Sequence, residues 1–130
     1  MNIGKRGMIE AMTVIALGLL SSVAWSHHST AAYDRDHKVL VEGTVKDFKW
    51  TNPHSWLFMS VPDDKGGIDE WAFECGSVVQ LKNIGWTRNK VKAGDKVKIV
   101  AIIARDGTRR GEVQTLVTAD GEKLQNRIGY

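Results

Sequence analysis

Residues 39–50, VLVEGTVKDFKW, decide the fold. Val39, Val41, Gly43 and Val45 recur at every second position, the signature of a half-buried strand. After Asp47 the apolar phase moves to Phe48 and Trp50, a shift explained by a bulge or strong bend in one long first strand. Thr51-Asn52-Pro53-His54 is then a turn, because proline lacks an N–H and disfavours helix for the residue before it.

Downstream, Trp56 to Val61 is a strand apolar on both faces, and Pro62 to Gly67 (PDDKGG) is a hairpin loop with two glycines. The third strand places Trp71, Phe73 and Cys75 on one face and Glu70 and Glu74 on the other. Ser77 and Gln80 form a capping box opening a short helix that Gly85 stops, with Val78, Leu81 and Ile84 toward the core. The Ala93-Gly94-Asp95 turn leads into a strand at 96–104, and after Asp106-Gly107 the last strand spans Glu112 to Thr118. The order β-β-β-α-β-β predicts an all-β protein with one short helix, a small OB-fold-like five-stranded barrel over residues 38–126. An SH3-like barrel and a short sandwich are the alternatives.

Upstream, residues 27–37 (HHSTAAYDRDH) lack periodicity and read as an irregular N-terminal arm. Residues 1–26 read as a signal peptide: Lys5 and Arg6 form a basic start, Ala11 to Leu20 an apolar run, and small residues follow. Cleavage after Ser26 leaves His27 as the new N-terminus; cleavage after Ala24 makes His27 the third residue. The expected location is periplasmic or secreted, with no nucleic-acid partner and no stable membrane insertion after cleavage.

The chain has 130 residues, one Cys and a formal net charge of +3. Without the signal peptide the charge is about +2, so the folded part is only mildly basic. This length excludes a two-domain enzyme and the Rossmann and TIM-barrel architectures, and a lone Cys cannot close a bridge within the chain.

The candidate chemistry lies in histidines. An N-terminal amine beside the His27 imidazole is a strong chelating pair for Cu(II), the tightest binder among the divalent first-row ions. His28 or His54 completes a nitrogen-rich set, with His54 the second ring and His28 either a third ligand or an orienting residue, and either cleavage point favours copper. Trp50 and Trp56 flank the His54 turn and would limit solvent access, and Glu74 is a candidate oxygen ligand near the barrel mouth. Cys75, in phase with Trp71 and Phe73, reads as a buried thiol. No nucleophile elbow, paired-acid motif or phosphate loop is present.

The segments HHST…Y (27–33), VEGTVKDFKWTNPHSWLF (41–58), EWAFECGS (70–77), LKNIGWTRNKVKAGDKVKI (81–99) and ARDGTRRGEV (104–113) together resemble the exported bacterial proteins grouped as DUF6152. The resemblance departs at Val78, where a proline often stands, and at Cys75, often aliphatic. It implies no established activity. It does carry His27, His28 and His54 over by motif position.

The expectation is an exported protein that binds or hands over a transition metal, copper first, without turnover and with an envelope protein as a possible partner. The alternative is a metal-free module gripping a peptide, glycan or protein with a face lined by Trp50, Trp56, Trp71 and Trp86.

Overall fold

The first strand, β1 (Tyr33–Lys49), is 17 residues long and belongs to two ladders, which requires it to bend. In this computed structural model residues 32–126 are described; residues 1–26, which the sequence reading takes as a signal peptide, and His27 and His28 lie outside them. Over Lys38 to Thr44, β1 pairs with β4 (Lys96–Ala104), and over Thr44 to Lys49 with β2 (Trp56–Pro62), both antiparallel. Gly43 sits at the corner, where an added Cβ would lie 2.5 Å from the Ser60 carbonyl oxygen. Glycine is what permits that approach. The ladder to β2 slips between Val45 and Asp47, leaving Lys46 as the extra residue of a bulge. This is the shift of apolar phase seen in the sequence.

The barrel then closes. β3 (Ile68–Glu74) follows the hairpin and pairs antiparallel with β2, and β5 (Arg110–Val117) pairs with β4 and, in parallel, with β3. The circuit β1–β2–β3–β5–β4 is a closed five-stranded barrel in the OB-type order. Gly111 makes the seam possible: a Cβ there would lie 2.8 Å from the Ile102 carbonyl oxygen and 2.9 Å from the Phe73 ring. A sixth strand, β6 (Lys123–Gln125), pairs antiparallel with Thr115 to Val117, the part of β5 beyond its ladder to β3, and was not expected from the sequence.

Between β3 and β4 lies α1 (Val78–Asn83), with both bonds of the Ser77–Gln80 capping box formed. Leu57, Met59, Phe73, Cys75, Ile99, Val113 and Leu116 fill the barrel and are fully buried, and Leu81 and Trp86 seal it from the helix side.

The expected irregular arm is corrected at its end, since β1 starts at Tyr33. Five steps along β1, Tyr33 to Lys38, match only two along β4, Ala104 to Ile102. The intervening residues bulge out of register, which erases the alternation that would have revealed a strand. Among the described residues no helix is long and apolar enough to cross a membrane.

Candidate functional site

Alternation along β3 sends Phe73 into the core and Glu74 to the outside of the barrel. Register carries that outer row across four strands: Trp56 opposes Glu74, Glu74 opposes Glu112, and Glu112 opposes Ile102. An outer face should be wet. Here Glu74 is 8% exposed, Glu112 3%, Tyr33 7% and Ile102 2%. Tyr33 and Ile102 are buried yet stand apart from the apolar core cluster, so the seam between β3 and β5 carries a second buried patch. Buried carboxylates are costly unless hydrogen-bonded, and both are served. Glu112 accepts from Gln114 Nε2 at 2.9 Å and pairs with Arg35 at 3.3 Å. One Glu74 oxygen accepts from the Tyr33 hydroxyl at 2.9 Å, and the other contacts Nδ1 of His54.

His54 is brought there by its turn. The Asn52–Pro53 peptide is cis, and Asn52 Oδ1 accepts from the Val78 N–H at 3.0 Å. Ser55 is fully buried; its N–H donates to the Gly76 carbonyl at 3.0 Å and its carbonyl accepts from the Cys75 N–H at 2.8 Å. The turn is thus fastened to the junction after β3 on both sides of His54. With Nδ1 taken up by Glu74, a neutral ring carries its proton there and keeps Nε2 as the lone-pair nitrogen. Nε2 has no partner among the described residues, and the side chain remains 36% exposed.

Local charge tunes the neighbours. Burial, then the charge and hydrogen bond of Glu74, push the Tyr33 phenol well above its ordinary range, so it remains a donor. Burial, with the Glu74 and Glu112 charges behind it, pushes the Cys75 thiol up in the same sense. Cys75 is therefore a protonated core group at neutral pH, consistent with its place among buried apolar residues.

The other sequence candidates divide. Trp50 turns toward the core and meets Phe48 edge-on, ring centroids 5.8 Å apart. Trp56 lies on the outer face with the Arg110 guanidinium 5.2 Å above its ring. Trp86 is buried, its indole N–H donating to the Gln125 carbonyl at 2.8 Å, so it cannot line a gripping face. Among the described residues no group of three or more His, Cys, Asp or Glu side chains could hold a metal ion. Sequence reasoning missed Tyr33 and Glu112. A single aromatic in an otherwise polar arm was the available signal for Tyr33, and a Glu between Gly111 and Val113 that for Glu112.

Fold and site define a small closed β-barrel with a tyrosine–glutamate–histidine chain on its outer seam. The chain belongs to a family of unknown function, DUF6152, whose model matches residues 16–114. No curated protein and no solved structure matched it.

Proposed function

We propose that the protein is an exported metal-binding module for the periplasm, with copper as the favoured ion, that binds or hands over the metal without turnover. His54 supplies one imidazole, through Nε2, and His27 and His28 supply the remaining nitrogen ligands. The observation that carries this reading is the Glu74–His54 contact. Metal-ligating histidines characteristically donate their other ring N–H to a carboxylate, which fixes tautomer and ring orientation and raises ligand basicity. Glu74 is then the orienting group, and its direct-ligand role falls away because both oxygens are engaged. If cleavage follows Ser26, the His27 amine and ring form one chelate to which His54 adds; cleavage after Ala24 would instead give an amine, two amides and the His27 ring, a four-nitrogen set that does not need His54.

Intact mass and metal content of protein purified from the envelope test this together. The expected result is a start at His27 or Trp25 with about one copper per chain. In titrations followed by tryptophan fluorescence, His27→Ala and His54→Ala should each weaken Cu(II) binding. A metal-free chain that refuses copper would overturn the proposal.

A second reading has its own observation. On the outer face of β2 the Lys49 ammonium stands 5.0 Å over the Phe58 ring, and a groove of about 370 Å³ runs beside it, lined by Lys46, Phe58, Trp71, Ala72 and Arg109 among others. That groove suits a peptide or glycan in a metal-free binding module. Partner binding that survives removal of His27 and His54 would favour it.

A further inference from the structure

The chain enters the barrel at Tyr33, and that residue is fixed at both backbone and side chain. Its carbonyl accepts from Arg105 Nε at 3.1 Å, the preceding Ala32 carbonyl accepts from the Arg105 N–H at 2.9 Å, and Tyr33 stands opposite Ala104 in the ladder. The three extra residues of the bulge fall after it, between Tyr33 and Lys38. The phenol is therefore a stationary donor, buried on the seam and 2.9 Å from Glu74 Oε2.

Glu74 needs such a donor. Its cross-strand neighbour is Glu112, another buried carboxylate, and like charges directly opposite repel. Arg110, diagonal to Glu74 in the parallel ladder, lies over the Trp56 ring and makes no ion pair with Glu74, and Cys75 stays protonated. The groups that hold the Glu74 carboxylate among the described residues are thus Tyr33 on one oxygen and His54 on the other. With the first oxygen fixed, the second is aimed at the ring.

We infer that Tyr33 is a positioning residue for His54: its hydroxyl holds Glu74 in the orientation that accepts a hydrogen bond from Nδ1–H and leaves Nε2 as the ligand nitrogen. The use of that nitrogen rests on the metal-binding reading, but the positioning does not.

The test is long-range ¹H–¹⁵N NMR of the histidine rings at neutral pH, in the metal-free full chain and in Tyr33→Phe. Wild-type His54 is expected as the Nδ1–H tautomer, and Tyr33→Phe is expected to mix the two tautomers. Glu74→Gln, which keeps the side chain's shape, approaches the same link from the other end and should release the tautomer as well. In Cu(II) titrations Tyr33→Phe should weaken binding about tenfold, as loss of an outer-shell partner does. A wild-type His54 protonated on Nε2, or a tautomer unchanged in Tyr33→Phe, overturns the inference. Wild-type protein that shows the Nδ1–H tautomer and its loss in Tyr33→Phe, yet binds no copper, supports the positioning role and removes the metal-binding reading alone.

Discussion

Glu70 and Glu74 leave the same face of β3 four residues apart, and the barrel treats them in opposite ways. Glu70 is exposed, with Lys46 Nζ at 2.6 Å and the Ser60 hydroxyl at 3.1 Å. The Lys46 contact lowers its pKa, but such a pair is screened by salt and contributes little. Glu74 is buried, and its two oxygens are divided between a tyrosine and a histidine that come from distant parts of the chain. The histidines repeat the contrast. His37 holds Asp34 at 2.9 Å three residues away and is largely exposed, whereas His54 holds Glu74 twenty residues away. A histidine–carboxylate pair is common; here the carboxylate is buried and held by a second buried donor.

Substitutions that touch these two glutamates will differ in scale. Glu74→Ala leaves the buried Tyr33 hydroxyl without its acceptor and should lower stability by about 2–3 kcal/mol, read from urea unfolding. Tyr33→Phe removes one hydrogen bond to a charged group and should cost about 1–2 kcal/mol.

Tyr33→Phe also sharpens the contrast through pH. The folded phenol binds its proton more tightly than the unfolded one, so its stabilising contribution is complete below the ordinary tyrosine pKa of ~10 and falls as pH rises beyond it. Unfolding followed from pH 9 to 11 should show wild-type stability declining more steeply than that of Tyr33→Phe. Cys75 has the same sign, with loss beginning at its lower ordinary pKa, and is present in both proteins.

Smaller effects are expected elsewhere. Cys75 should resist alkylation in native buffer at neutral pH and react fully in denaturant, because it is buried and protonated. Glu70→Gln and His37→Ala should leave both the unfolding midpoint and the His54 tautomer unchanged. A Glu70 variant as damaging as Glu74→Ala would erase the distinction.

Most of the barrel was legible because its decisive features are local. The phase shift after Asp47 announced the bulge at Lys46, Pro53 and the 62–67 glycines marked turns, and Ser77 with Gln80 marked the helix start. β6 was not legible, since three residues with one buried Leu124 carry no period. The start of β1 was hidden by its own bulge. For the site, alternation placed Glu74 on the face away from Phe73 and proline marked the His54 turn. What alternation cannot show is what covers a face. The burial of Glu74 and Glu112 arises from the closure of β3 on β5, a pairing between residues 38 positions apart, as in Glu74↔Glu112. Tyr33 reaches Glu74 from 41 residues away, beyond any local pattern.

The most direct test of the account is electron paramagnetic resonance of Cu(II)-loaded protein, wild type against His54→Ala, at one copper per chain. The account predicts a nitrogen-rich signal in the wild type that loses one imidazole nitrogen in His54→Ala, with weaker binding. A wild-type spectrum matching free Cu(II), or one unchanged by His54→Ala, would contradict the assignment of His54 as a ligand.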